Sequence, residues 1–227
     1  MTQYSVPVTN RIARSVMRPI FRSVFHILSE VKIMGRENVP KSGAYLITIN
    51  HVSLFEPPFI LAFWPTPPEG AGAIEIWDRP VQGILVRLYH GIPVHRGEFD
   101  RQLLETMIAV LKSGRPLLLA PEGGRTHALG MRRALPGVAY IVDKTHVPVV
   151  PVGIIGTTDD FLTRAIHLKR PRLEMRIGKP FYLPLVEGKG AARRDALQAN
   201  ADQIMGAIAD LVPDNYRGVY QSSEKPE

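Results

Sequence analysis

The sequence predicts an α/β layered fold with an N-terminal amphipathic helical segment, and three observations predict it. Short, β-rich apolar runs alternate with stretches whose apolar residues recur at helical spacing, the pattern of strands covered by helices. Apolar residues make up 45% of the chain and charged residues 22%, a balance that supplies a full core and excludes a disordered chain. No internal repeat or low-complexity linker interrupts the 227 residues. Residues 1–30 therefore read as a helical appendage, 31–220 as one domain and 221–227 as a polar tail.

Residues 8–30 carry the amphipathic pattern. At about 100° per residue, Arg11, Arg14, Arg18 and Arg22 share one arc. Ile12, Val16, Ile20, Val24, Ile27 and Leu28 lie on the other side, and Phe25 falls near the basic arc against the pattern. Pro19 lacks a donor and crowds the preceding turn, so one kinked helix and two short helices fit equally. Two orientations also fit. The segment could lie in a membrane interface with its arginines toward headgroups, or pack on the domain with its arginines in solvent.

Val31–Met34 and Ala44–Ile49 are predicted strands, and a helix is expected to begin at Pro57 or Pro58. The Pro- and Gly-rich residues 64–72 read as a loop. Pro80–Leu88 reads as a helix, Gly91–Val94 as a short strand and Asp100–Ser113 as a helix ended by Gly114. Strands follow at Pro116–Ala120, Val147–Ile155 and Leu173–Ile177, and helices at Pro136–Thr145 and Ala191–Leu211.

Lys and Arg number 28 against 21 acidic residues, and the net charge of +7 favours an anionic partner: phospholipid, nucleic acid or a phosphorylated metabolite. The absence of cysteine excludes disulfides, thiolate metal sites and a cysteine nucleophile, and fits a reducing compartment. Basic residues break the N-terminal stretch where a secretory apolar core would lie. No apolar run approaches the ~18 residues of a membrane span, so any membrane attachment is expected to be peripheral.

Three segments that follow predicted strands carry chemistry-bearing residues. In Asn50-His-Val-Ser-Leu-Phe-Glu56, His51 stands at a strand end, where loops present reactive groups. On a regular helix His51 and Glu56 would sit roughly 140° apart, so a turn must join them, and Pro57 biases Glu56 away from helical backbone. A carboxylate on one imidazole nitrogen would orient the ring and leave the other nitrogen to take a proton from a hydroxyl. A structural histidine is the alternative. In Ala120-Pro-Glu-Gly-Gly-Arg-Thr126, Gly123 and Gly124 let backbone donors approach an anion, and Arg125 can fork onto phosphate oxygens. Glu122 could orient Arg125 or bind a substrate hydroxyl; a tight turn with a surface arginine is the alternative. In Gly91-Ile-Pro-Val-His-Arg96, Arg96 would complete a phosphate clamp or stand as a solvated charge. Val147-Pro-Val-Val-Pro-Val-Gly153 either lines an acyl groove or forms a core strand.

These four segments, in this order and spacing, resemble the motifs of the glycerolipid acyltransferases, a family that includes the 1-acylglycerol-3-phosphate acyltransferases. Asn50–Glu56 is similar to Asn-His-x-x-x-x-Asp, Val94-His95-Arg96 to the second motif, Ala120–Thr126 to Phe-Pro-Glu-Gly-Thr-Arg-Ser, and Val147–Val152 to the fourth. Pro136–Tyr140, Ile177–Phe181 and Tyr216–Tyr220 also look like the family, so the resemblance covers roughly residues 30–220.

The resemblance implies an α/β sandwich around a mixed, mostly parallel sheet, with the acyltransferase domain at 31–220. It implies His51 as general base and Glu56 as its partner. Arg96, Glu122, Gly123, Gly124 and Arg125 would hold the glycerol phosphate. The acceptor hydroxyl would attack the thioester directly, with no acyl-enzyme, metal or cofactor. The expected partners are a lysophospholipid acceptor, acyl-CoA or acyl carrier protein as donor, and the cytoplasmic face of a membrane, with no nucleic acid. Glu56 replaces the usual aspartate, Gly124 the usual threonine, and His95 a small polar or acidic residue. Acceptor identity therefore stays open between lysophosphatidate and another hydroxylated lipid. Three rivals remain: a hydrolase with Ser53 as nucleophile, a basic nucleic-acid-binding module, and a lysolipid binder that no longer turns over. No Gly-x-Ser-x-Gly elbow and no nucleic-acid motif is present for the first two.

Overall fold

The computed structural model describes residues 4–95, 100–126, 128–158 and 160–221. Among these, seven strands form one sheet: β1 (Glu30–Met34), β2 (Leu46–Ile49), β3 (Glu69–Ala73), β4 (Ile92–Val94), β5 (Leu117–Leu119), β6 (Val149–Ile155) and β7 (Arg172–Ile177). Their spatial order is β1-β7-β6-β2-β5-β3-β4. Every neighbouring pair is parallel except β6 with β7. This is the mixed, mostly parallel sheet expected. Leu46–Ile49 is buried on both faces, as a strand flanked by helices must be, and its short β-rich run, apolar but for Thr48, is what made it legible.

Helices cover both faces. On one side Leu46, Leu117 and Val149 pack with Val110 of α4 (Arg101–Lys112), Ile141 of α5 (Gly137–Thr145) and Ile204 of α7 (Gly190–Ala209). On the other, Ile47, Ile49, Val150 and Val152 meet Phe59 of α2 (Glu56–Phe63), Phe161 of α6 (Phe161–Ile166) and Phe25 of α1 (Val8–Leu28). Two further helices are α3 (Pro80–Tyr89) and α8 (Asp214–Arg217). Asp100 caps α4 by accepting the Leu103 N–H at 2.9 Å.

The Glu69-Gly-Ala-Gly-Ala73 stretch is a strand where a loop was expected. Its residues have poor strand propensity, and pairing with β5 on one side and β4 on the other overrides it. The short α6 and α8 were not predicted.

The N-terminal helix differs most from expectation. It is one helix through Pro19, and its basic face points inward. Arg14 is buried against the fully buried Glu69, donating Nη1 to Oε1 at 2.8 Å and Nη2 to Oε2 at 2.6 Å. Arg115 (2.7 Å) and the Tyr4 hydroxyl (2.9 Å) complete the carboxylate's shell. Removing one partner of so buried a pair costs about 3–5 kcal/mol.

The other inward polar residues cap helix ends. Asn10 donates to the carbonyls of Arg87 and Leu88, and Arg14 Nε to that of Tyr89, at the end of α3. Arg18 donates to the carbonyls of Leu61 and Trp64, and Arg22 to that of Ala62, at the end of α2. The last carbonyls of a helix lack intrahelical donors and carry partial negative charge, so arginine suits them. Asn10, Arg14, Arg18 and Arg22 recur every fourth residue and so share this face. The apolar face is left outside: Val8, Ile12, Val16, Ile20, Val24 and Ile27 are all exposed. Both expected orientations put the arginines outward, toward headgroups or solvent, and the structure instead turns Arg14, Arg18 and Arg22 onto the domain. Phe25, the residue that broke the sequence pattern, is buried because the basic arc is the inward one.

Candidate active site

Strands β6, β2 and β5 are adjacent and parallel, so the loops after their carboxyl ends lie side by side. Ligand sites of α/β sheets form at such an edge. The three loops begin at Asn50, Ala120 and Gly156. The fully buried Asn50 ties the first to β6: its Nδ2 donates to the Ile154 carbonyl at 2.9 Å, and its Oδ1 accepts the Ile154 N–H at 2.7 Å.

His51 is held at three points. Its N–H donates to Glu122 Oε1 at 2.9 Å, its carbonyl accepts the Thr126 N–H at 3.0 Å, and its Nδ1 lies 2.9 Å from Glu56 Oε2. A carboxylate only accepts, so Nδ1 carries the ring proton and Nε2 presents its lone pair. The His51 side chain is 12% exposed, and Nε2 has no protein partner among the described residues.

Glu56 is the first residue of α2, not a residue held outside it by Pro57. The turn Val52–Phe55 closes the distance to His51. The glutamate is fully buried. Both its oxygens lie 3.0 Å from the Ser53 N–H. Oε1 also accepts the hydroxyls of Ser53, at 3.2 Å, and Thr157. Ser53 Oγ in turn accepts the Phe55 N–H at 3.1 Å. Ser53 has no exposed surface, so it cannot reach a substrate as a nucleophile; it positions Glu56.

Glu122 braces the loop. Oε1 accepts the His51 N–H and Oε2 the Arg132 N–H at 2.8 Å. Burial pushes its carboxyl above the ordinary range, and the two N–H groups oppose that only in part. Both its oxygens are taken by these two N–H groups, and no hydrogen bond or ion pair joins it to the Arg125 side chain among the described residues, so of its two expected roles the structure does not show the one of orienting Arg125. Gly123 has φ 69°, and its N–H is spent on the Ala120 carbonyl at 3.1 Å, so the turn needs this glycine and its amide is not free for phosphate.

By contrast, the amides of Gly124 and Arg125 have no acceptor among the described residues, and neither does the Arg125 guanidinium. Arg96, the other expected phosphate ligand, lies outside the described residues. Of the Val147–Gly153 segment, Val149–Gly153 belong to strand β6, with Val149, Val150 and Val152 fully buried, which matches the core-strand alternative.

Sequence reasoning quoted Asn50 and Tyr216 within motifs without giving either a role, and did not single out Thr157 or Arg132. Thr157 was findable, because it follows a buried apolar run as His51 and Glu122 do. Arg132 Nη2 donates to the Arg125 carbonyl at 2.9 Å, which adds a positive charge to the loop. The Tyr216–Tyr220 segment supports both outer loops. The Tyr216 hydroxyl accepts the Gly156 N–H at 3.0 Å, its carbonyl accepts the Met131 N–H at 3.0 Å, and the Tyr220 hydroxyl accepts the Ala134 N–H at 2.9 Å.

Comparison with known proteins identifies the family. The acyltransferase family model matches residues 30–155, which span β1 through β6 and so include every residue named at the site except Gly156, Thr157, Tyr216 and Tyr220. Two curated relatives are the 1-acyl-sn-glycerol-3-phosphate acyltransferases of Limnanthes douglasii, 25% identical over 130 residues, and Limnanthes alba, 27% identical over 133 residues. Each alignment covers 56% of this chain and 46% of the relative, so the chain spans about half the length of the curated relatives it matches. The crystal structure of the 1-acyl-sn-glycerophosphate acyltransferase PlsC from Thermotoga maritima shares the fold, with a TM-score of 0.62 at 23% identity over 86% of this chain and 79% of that one. The strand-end motifs, the sheet that aligns them and the family match over more than half of the sequence agree, and this chain belongs to the acyltransferase family.

Proposed function

We propose that this protein moves a fatty acyl chain from a thioester to the free hydroxyl of lysophosphatidate, giving phosphatidate. The observation that carries the proposal is the His51–Glu56 pair, with Nε2 open beside a loop that offers unpaired amides and Arg125. Nε2 takes the proton of the acceptor hydroxyl as its oxygen attacks the thioester carbonyl. The tetrahedral intermediate collapses with cleavage of the C–S bond, and the imidazolium returns the proton to the leaving thiolate. Glu56 supports the transient positive charge on the ring. The Gly124 and Arg125 amides, the Arg125 side chain and Arg96 hold the acceptor phosphate. The donor is acyl-CoA or acyl carrier protein. That the Limnanthes relatives are 1-acyl-sn-glycerol-3-phosphate acyltransferases supports the choice of acceptor.

The same reading places the chain on a membrane surface, where its acceptor resides. Its contact is the exposed apolar face of α1. Among the described residues no helix is long and apolar enough to cross a membrane. The helix instead lies in the interface plane with its six exposed aliphatic residues toward the acyl chains. Because Arg14, Arg18 and Arg22 are committed to the protein, this contact rests on apolar burial more than on anionic headgroups.

The test is thioester consumption in mixed micelles with lysophosphatidate, comparing the protein with His51→Ala. Acceptor-dependent thiol release with matching phosphatidate is expected, falling by about 10²–10⁴-fold in the variant. Silence with acyl-CoA, acyl carrier protein and a panel of lysolipids would leave a binder without turnover, and near-normal turnover in His51→Ala would remove the proposed base.

A further inference from the structure

We propose that Thr157 is a positioning residue for acyl transfer: its buried hydroxyl locks the rotation of the Glu56 carboxylate, so that one oxygen stays on His51 Nδ1. The inference rests on the reading of His51 as general base.

The two carboxylate oxygens have separate duties. Oε2 faces the imidazole, and Oε1 accepts both hydroxyls, those of Ser53 and Thr157. Ser53 lies in the same turn as Glu56, so it moves with it. Thr157 comes from the loop after β6, more than a hundred residues away, and is the anchor that ties the pair to the sheet. It is 1% exposed.

The loop that carries Thr157 is itself constrained. Gly156 has φ 93°, and a Cβ there would stand 2.1 Å from the Arg172 carbonyl oxygen, so only glycine permits this path. The Gly156 N–H is tied to the Tyr216 hydroxyl.

The need for such an anchor follows from the side chain at position 56. The terminal carboxylate torsion of glutamate is broad, and glutamate has one more rotatable bond than the aspartate usual in this motif. An unanchored Glu56 could turn Oε2 away from Nδ1 at little cost. Threonine suits the task because branching at Cβ limits its own rotamers.

The test compares Thr157→Val, which keeps the shape and removes the hydroxyl, with Thr157→Ser, which keeps the hydroxyl. In Thr157→Val, kcat is expected to fall roughly 10–100-fold, the scale of a misplaced catalytic group, with KM for donor and acceptor and the thermal midpoint nearly unchanged. Thr157→Ser is expected to recover most of the loss. A second readout does not need turnover. By NMR, the His51 Nδ1–H proton should resist solvent exchange in the parent protein and in Thr157→Ser, and broaden in Thr157→Val. Unchanged kcat in Thr157→Val, failure of serine to rescue, or an unchanged proton signal would overturn the proposal. If the parent protein transfers no acyl group with any donor and acceptor, the proposed function fails, and the proton signal alone decides the role of Thr157.

Discussion

His51 and Ser53 are two residues apart, and burial gives them different roles. The imidazole keeps an open edge, whereas the Ser53 hydroxyl is enclosed and bonded to Glu56. Ser53→Ala should therefore retain transfer. Loss of one hydrogen bond to the Glu56 carboxylate, long at 3.2 Å and so at the low end, about 1.5 kcal/mol, corresponds to roughly a tenfold drop in kcat. Intact-mass spectrometry during turnover should detect no acylated enzyme; an acyl group on Ser53 would restore the hydrolase reading. Glu122 gives a second residue-scale expectation, one that concerns stability. Its carboxyl is raised by burial, so the native state holds its proton to higher pH than the unfolded chain does. This group's contribution is full below the unfolded carboxylate range and is lost as pH climbs through the raised native value. Urea midpoints of the parent protein should carry that slope, and Glu122→Gln should lack it. The variant should also be less stable by about 1–3 kcal/mol, because an amide has one acceptor for two N–H donors.

At the scale of the element, α1 reverses the usual reading of an amphipathic helix. Its polar face is tied to two helix ends and to Glu69, and its apolar face meets the surroundings. Burial alone would raise the Glu69 carboxyl, but Arg14 and Arg115 outweigh it and hold the group below its ordinary value. The stabilisation this cluster supplies is thus present at neutral pH and lost as pH falls through that depressed value. Deleting residues 1–30 would uncover this network as well as remove the apolar stripe, so substitutions isolate the stripe better. The pair Ile12→Glu and Ile20→Glu should weaken cosedimentation with zwitterionic vesicles at least about tenfold, given ~1.5–3 kcal/mol for each fully buried side chain. The same pair should leave the thermal midpoint and turnover in dispersed micelles close to the parent values. Equal losses in all three measurements would mean that the stripe packs against protein.

For the whole molecule, the sheet explains why distant motifs meet. Loops after β2, β5 and β6 share one edge because those strands run parallel side by side. That edge was legible because each motif directly follows a short, mainly apolar, β-rich run, the pattern of a strand covered on both faces. The strand at Glu69–Ala73 was not legible, since its residues carry no strand signal and its neighbours create it. The direction of α1 was not legible either. Helical periodicity places two faces opposite each other but says nothing about which carbonyls and carboxylates wait on the domain. Likewise the pairing of His51 with Glu56 could be guessed, whereas Thr157 acts through a partner 101 positions away. The outward stripe of α1 also governs how the chain behaves away from lipid. In plain buffer it leaves an uncovered seam of six aliphatic side chains, and the net charge of +7 opposes the closing of two copies seam to seam. Salt, which weakens that repulsion, should then drive clustering in the absence of detergent, so the colloidal state of a preparation becomes a variable in any rate measured from it.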